Sequence, residues 1–176
     1  GDLDGDGKNE IHAMIWDFFS LYMIENTAPD QYELMTSLPR VFVDSGIDYG
    51  ALDGIVVADV NEDGINEMYI AGTEPPNQLF IITNVTDIAA ITPQDIKPFF
   101  RIPQKALGRL RAMSIADTDG DGNLSLMIAG ERNGQIFELK YKGEGDPADS
   151  TSWELIVAFD IFEYSGFSPD DNPTID

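Results

Sequence analysis

Three short acidic segments of this chain share one pattern of oxygen-bearing side chains. In each segment, Asp or Asn occupies the first, third and fifth positions, and Gly occupies the sixth. The segments are DLDGDGKNE at 2–10, DVNEDGINE at 59–67 and DTDGDGNLS at 117–125. They begin 57 and 58 residues apart, and a short apolar run follows each of them. This recurrence indicates an internal repeat built around one kind of loop.

The chemistry that suits this pattern is the binding of a hard divalent cation. Side chains at alternate positions of a tight loop converge, and Gly permits the sharp turn. Loop one brings together four acids: Asp2, Asp4, Asp6 and Glu10. Two carboxylates ~4 Å apart repel by up to ~4 kcal/mol at an effective dielectric constant of ~20. Ca²⁺ takes about six to eight oxygen ligands whereas Mg²⁺ keeps several waters, so we expect calcium rather than a metal-free Asp/Gly turn.

The loops differ from the EF-hand in the position of the closing acid and in the downstream element. An EF-hand has Glu at position twelve and continues into an amphipathic helix. Here position twelve is apolar (Ala13, Ile70 and Ile128), and the closing acid stands at position nine, as Glu10 and Glu67. The apolar runs end at Gly in the second and third repeats, which is typical of strands.

The loops and their flanks resemble the calcium loops of FG-GAP/VCBS-type β-propeller repeats, as in the integrin α-subunit propeller. The resemblance implies an all-β fold of four-stranded antiparallel blades, with each loop joining the first two strands of a blade. It also implies ligands at positions one, three, five and nine, together with the backbone carbonyl at position seven. Up to three Ca²⁺ ions are therefore expected.

Carried onto this sequence, the family's ligand positions give three sites. Site one comprises Asp2, Asp4, Asp6, the Lys8 carbonyl and Glu10. Site two comprises Asp59, Asn61, Asp63, the Ile65 carbonyl and Glu67. Site three comprises Asp117, Asp119, Asp121 and the Asn123 carbonyl, with Ser125 in place of the closing acid. We expect site one to be the strongest, and water to complete the coordination of site three.

The repeat divides the chain into about three blades. Residues 1–58 form blade one, without its inner strand, plus the inner strand of blade two; 59–116 form repeat two; 117–176 form repeat three and a C-terminal loop. Strands are predicted at 54–58, 68–72, 79–83 and 99–102, and again at 113–116, 126–130, 136–141 and 153–159. Blade one is predicted to have strands at 11–18, 21–24 and 40–43, with a helical turn at 29–35. A short helix is expected at 92–95, where Pro follows Thr.

Three blades cannot close a ring, because propellers have at least about four. Uncovered sheet faces and unpaired strand edges would expose apolar surface and backbone hydrogen-bonding groups. We therefore expect the chain to belong to a larger propeller, or its copies to assemble, and its start within a loop to be a fragment boundary.

Composition limits the possible partners. The 176 residues carry 10 Lys and Arg against 32 Asp and Glu, a formal net charge of −22, which disfavours nucleic acid and anionic membranes. No Cys is present, and no apolar run has the ~18–20 residues of a membrane span. Hydrophobic residues make up 43%, enough to build a packed core.

Three functions are compatible with these features. The first is a secreted or cell-surface, non-enzymatic module that binds a protein or glycan ligand. The second is a structural repeat whose copies assemble into a surface filament or sheath. The third is part of a calcium-dependent polysaccharide lyase or hydrolase, although His12 is the single histidine and is expected to pack in a strand. Trp16, Trp153 and the tyrosines could form a sugar-stacking surface, but aromatic residues at strand positions are expected to be core.

Overall fold

The fold consists of short antiparallel strands. The structure, a computed structural model, describes residues 1–15, 20–38, 52–72, 77–103, 109–131 and 134–166. The strands are β1 (Glu10–Ile15), β2 (Ser20–Ala28), β3 (Gln31–Leu38), β4 (Leu52–Ala58), β5 (Glu67–Gly72), β6 (Gln78–Ile82), β7 (Lys97–Arg101), β8 (Arg109–Ala116), β9 (Ser125–Glu131), β10 (Gln135–Tyr141) and β11 (Trp153–Asp160). One short helix, α1 (Ile161–Ser165), follows β11.

The strands form three sheets in which chain neighbours pair with one another. Sheet one has the order β1-β2-β3, sheet two β4-β5-β6-β7 and sheet three β8-β9-β10-β11. All the pairs are antiparallel. The predicted all-β class and the eight strands predicted for the second and third repeats are thus confirmed, with shifts of a few residues at their ends.

The helical turn predicted at 29–35 is wrong. Residues 29 and 30 form a tight turn, and the chain continues as β3, paired along β2. Asp30 has φ 58°, a left-handed conformation that Asp tolerates in turns and that breaks a helix. The strand predicted at 40–43, and residues 16–18 of the one predicted at 11–18, lie outside the described residues.

The connections contain short 3₁₀ turns. The helix expected at 92–95 is present as a 3₁₀ turn at Pro93–Asp95, with a capping box between Thr92 and Asp95. The connection between β10 and β11 includes a 3₁₀ turn at Ser150–Ser152. The predicted C-terminal loop begins at Ser165, which ends α1, and residues 167–176 lie outside the described part of the chain.

Alternation along β5 shows how the sheets stack. Every residue of β5 is buried. Met68 and Ile70 belong to the core shared with sheet one, whereas Tyr69 and Ala71 belong to the core shared with sheet three. We call the side of Met68 and Ile70 face A and the opposite side face B. Sheet two is therefore packed on both faces.

The same faces meet at both sheet interfaces. Face B of sheet one, with Leu21 and Met23, packs on face A of sheet two. Face B of sheet two, with Leu79 and Ile81, packs in turn on face A of sheet three, which presents the positions equivalent to Met68 and Ile70, namely Leu126 and Ile128. Each fully buried side chain of this type contributes about 1.5–3 kcal/mol. The repeated sequence therefore produces repeated stacking.

The first strands of sheets two and three approach each other closely. A Cβ atom added at Gly54 of β4 would lie 3.0 Å from the backbone nitrogen of Met113 in β8. In sheet one, the backbone N–H of Glu10 donates to the Gly1 carbonyl at 2.6 Å. Gly1 thus stands where Ala58 and Ala116 stand in the other sheets, opposite Glu67 and Ser125.

Equivalent positions on face A allow a matched test of the stacking. Leu126 is 0% exposed in sheet three, whereas Ile11, at the same repeat position in sheet one, is 49% exposed. We expect Leu126→Ala to lower the free energy of unfolding by about 2–5 kcal/mol, because it leaves a cavity. Ile11→Ala should change it by less than about 0.5 kcal/mol in dilute protein. Urea denaturation measures both, and equal losses would contradict the stacking.

Candidate metal centres

One hydrogen-bond framework shapes all three loops. The N–H of the sixth residue donates to the first carboxylate in each: Gly7 to Asp2 at 3.1 Å, Gly64 to Asp59 at 2.8 Å and Gly122 to Asp117 at 3.0 Å. The seventh N–H donates to the fifth carboxylate at 2.8 Å in every loop. The sixth residues have φ values of 88°, 88° and 92°, which favour Gly. The local sequence therefore fixes the orientation of the acids.

Loop one brings its four predicted carboxylates together. Oxygens of Asp2, Asp4, Asp6 and Glu10 all lie within 4.8 Å of one another. Glu10 opens β1 and its side chain is 0% exposed. One of its oxygens, Oε2, accepts the Leu3 N–H at 2.7 Å. Burial and the neighbouring Asp4 and Asp2 raise the pKa of Glu10.

Two buried oxygens in loop one have no hydrogen-bond partner. They are Asp2 Oδ1 and Glu10 Oε1. An unsatisfied buried polar atom costs about 1–3 kcal/mol, and more when the group is charged. Because both atoms belong to the four-carboxylate group, a hard cation bound there would satisfy them. The donor set of site one therefore fits a calcium ion.

A lysine lies beside the acids of loop one. Lys8 Nζ is 2.7 Å from Asp6 Oδ2 and 2.5 Å from Glu25 Oε1. The hydrogen bond from Lys8 lowers the pKa of Asp6. Glu25 comes from β2, where it pairs with Glu10. The Lys8 ammonium group thus pairs with carboxylates of loop one and of β2. The metal-ligand role predicted for the Lys8 carbonyl stays a prediction, as do the roles predicted for the Ile65 and Asn123 carbonyls.

Loop two has the same backbone framework with one fewer charge. Asn61 Nδ2 donates to Asp63 Oδ2 at 3.0 Å. Glu67 is 3% exposed and accepts the Val60 N–H at 3.4 Å and the Tyr69 hydroxyl at 3.3 Å. Burial raises the pKa of Glu67 to about 7. Among the described residues, clusters of three or more acids close enough to share an ion occur in loops one and three, and the acids of loop two do not form such a cluster.

Loop three brings three exposed acids together, and a lysine contacts two of them. Oxygens of Asp117, Asp119 and Asp121 lie within 4.8 Å of one another. Lys140 Nζ lies 2.5 Å from Asp119 Oδ2 and 2.6 Å from Asp121 Oδ2. The hydrogen bond from Lys140 lowers the pKa of Asp121 to about 2. An ion entering site three therefore competes with this ammonium group.

A carboxylate from the neighbouring strand β10 lies beside Ser125, the residue that replaces the closing acid in loop three. Ser125 is fully buried, and its hydroxyl donates to Glu138 Oε1 at 2.8 Å. The Thr118 hydroxyl donates to the same oxygen. The sequence pattern did not reveal Glu138, Lys140 or Glu25, because the register of the next strand brings them to the loops. One available signal is the dipeptide Asn133-Gly134, a sequence that favours a hairpin and so indicates the pairing that brings Glu138 and Lys140 to loop three.

Neighbouring loops are linked to one another. Asn66 of loop two donates from Nδ2 to the Asp2 carbonyl at 2.6 Å, and the Ile88 N–H donates to Asp4 Oδ2 at 3.2 Å. A cleft of about 160 Å³ between loops one and two is lined by residues 3–5, 64–65 and 84–86. Another of about 230 Å³ lies between loops two and three, lined by residues 60–62, 121–123, 141 and 143. The loops therefore form one continuous edge of the sheet stack.

His12 and Trp153 both lie in packed surroundings. The His12 side chain is 6% exposed, and burial lowers its pKa to about 4, so it is neutral at physiological pH. Trp153 is 3% exposed, its ring meets Tyr69 and Tyr141 edge-on, and its indole N–H donates to the Pro147 carbonyl. Trp153 is thus core, as predicted.

Comparisons with known families, with curated proteins and with solved structures return no match to this chain. No helix in the described ranges has the length and hydrophobicity needed to cross a bilayer.

The raised pKa of Glu67 gives the metal-free protein a distinct pH dependence. The pKa of Glu67 is about 7 in the folded state, whereas the pKa of an unfolded Glu is about 4.5. The folded state therefore holds the proton of Glu67 more tightly. Stability should therefore fall as pH rises through this interval. We expect Glu67→Gln to remove this part of the fall, measured as melting temperature in EDTA between pH 5 and 8. Parallel curves for the two proteins would contradict the assignment.

Proposed function

We propose that this chain is a calcium-binding, non-enzymatic repeat module whose loop edge binds a protein or glycan ligand outside the cell. The observation that carries the proposal is the pair of buried, unpartnered oxygens, Asp2 Oδ1 and Glu10 Oε1, within a group of four carboxylates. Such a group is costly to bury without a counter-ion. A hard cation in loop one removes that cost.

Calcium is the cation that this donor set favours. All the side-chain donors are oxygens, and in loop one they converge from positions one, three, five and nine. Mg²⁺ requires near-octahedral geometry and dehydrates reluctantly, whereas Ca²⁺ accepts irregular cages of about six to eight oxygens. Loop two, with Asn61, and loop three, with Lys140 against its acids, should bind more weakly than loop one.

The β-propeller remains part of this proposal. Three antiparallel meander sheets stacked face to face are what consecutive propeller blades provide, and the described residues do not form a closed ring. We include a secreted or cell-surface location in this proposal, since calcium modules of extracellular proteins work at about 10⁻⁴–10⁻³ M ion.

Surface binding fits the loop edge better than enclosed catalysis. The two clefts between the loops measure about 160 and 230 Å³. Small-molecule pockets usually occupy about 300–1,000 Å³. An edge of ion-stiffened loops with shallow clefts suits the recognition of an extended partner, such as a glycan chain or a protein surface.

Calcium binding can be tested directly by calorimetry and chelation. We expect added Ca²⁺ to raise the melting temperature and EDTA to lower it, since ~100-fold excess over Kd adds ~2.7 kcal/mol per site. Glu10→Gln should weaken the tightest site at least about 10–100-fold, the loss typical of an outer-shell partner, because Glu10 is proposed as a direct ligand. Glu33→Gln, which changes an exposed β3 carboxylate outside the loops, is the matched control. An unchanged melting curve in EDTA would refute the metal site.

Ligand binding needs a separate measurement. We expect immobilised chain to retain members of a panel of glycans and extracellular-matrix proteins in calcium and to release them in EDTA. Glu10→Gln should weaken this retention at limiting calcium, and Glu33→Gln should not. Turnover of a polysaccharide by the chain would instead favour the lyase or hydrolase function. Retention that is insensitive to EDTA would show that the loop edge is not the binding surface.

A further inference from the structure

Face A of sheet one is apolar and open. It carries Ile11, which is 49% exposed, and Ile15, which is 42% exposed, on β1, and Leu34, which is 54% exposed, on β3. Tyr32, near the start of β3, is 57% exposed. The equivalents of Ile11 in the other two sheets, Met68 and Leu126, are both 0% exposed. Sheet one therefore presents the kind of surface that the other sheets bury.

Face B of sheet three is the other uncovered face. Its residues are small or apolar on the first two strands, where Ala112 pairs with Ala129 and Ser114 pairs with Met127. Ala112 and Ser114 are exposed, and Met127 and Ala129 are half-buried. Ile156 on β11 adds a side chain that is 37% exposed. The corresponding face of sheet two is buried under sheet three.

The two open faces are of the same two kinds, A and B, that pack on each other at both sheet interfaces within the chain. Within the molecule, a face B always packs on a face A, once between sheets one and two and once between sheets two and three. Among the sheets of the described residues, one face A and one face B are left uncovered, at opposite ends of the stack. Continuity of the stacking thus specifies which surface complements which.

Face B of sheet three also carries polar residues, namely Ser114, Glu138, Lys140 and Glu154, and Lys140 is paired with Asp119 and Asp121. Glu138 stands at the position that Ile81 holds in sheet two, and its Oε1 accepts the Ser125 and Thr118 hydroxyls. A carboxylate held by two hydroxyl donors loses less on burial than an unpaired one. Glu138 therefore does not bar a partner from this face.

We propose that a second copy of this chain docks head to tail, with face B of its sheet three on face A of sheet one. Such a contact is heterologous, so a pair of docked copies keeps one open face A and one open face B for further copies. Repetition gives a ring if the rotation closes and an open filament if it does not. The docking depends on the strand faces and not on the calcium proposed for the loops, so either can fail without the other.

Two blocked variants test the docking by sedimentation velocity in the presence of calcium. Ile11→Glu/Leu34→Glu places charge on face A of sheet one. Ala112→Glu/Ser114→Glu places charge on face B of sheet three. The control is Val157→Glu: Val157 is 49% exposed, like Ile11, but pairs with Phe137, whose side of sheet three faces sheet two. Circular dichroism melts establish that each variant is folded.

The wild-type chain and the Val157→Glu variant should sediment faster as concentration rises to about 100 μM, within the affinity range of weak interfaces. Each blocked variant alone should be monomeric, and an equimolar mixture should form one-to-one dimers that grow no further. A monomeric wild-type chain would overturn the proposal. So would self-association of either blocked variant, which is the mark of a symmetric contact through one face, or a mixture that stays monomeric.

Discussion

The repulsion among the carboxylates of loop one is the constraint on which the site depends. Glu10 is buried where β1 begins, so its charge cannot be relieved by water. One of its oxygens holds the Leu3 N–H, and the other has no partner. Loop and strand are therefore joined at the same residue that needs a cation. An ion bound there would hold the loop closed and fix the start of the first strand.

This local constraint extends to the packing of the sheets. Asn66 and Ile88, which belong to the second repeat, donate hydrogen bonds to the Asp2 carbonyl and to Asp4. Loop one is thus fastened to the neighbouring unit as well as to its own strand. Because β5 is buried on both faces, a slip of one residue in its register would exchange the two cores. The loop contacts and the double burial select the same register.

The sequence allowed the loops to be predicted because their information is local. Asp, Asn and Gly at fixed positions specify the turn and the direction of each carboxylate, and the repeat spacing specifies the strands of the second and third sheets. The helical turn predicted at 29–35 is wrong because Pro29 and Asp30 suit a hairpin turn as well as a helix start. Glu25, Glu138 and Lys140 are not predicted from the loop pattern, because strand pairing brings them to the loops from 13 or more residues away.

The three loops share a hydrogen-bond framework but differ in their acids and in the ammonium groups that neutralise them. Loop one has four converging acids, whereas loop three has three, and an ammonium group already lies against two of them. Lys140 can stabilise loop three without an ion, because it contacts two of the three acids. In loop one, Lys8 contacts Asp6 rather than Asp2 or Glu10. Loop three therefore has a counter-charge against two of its acids, whereas the buried oxygens of Asp2 and Glu10 in loop one have no hydrogen-bond partner among the described residues. Dependence on calcium should be greatest at the end of the stack where face A lies open.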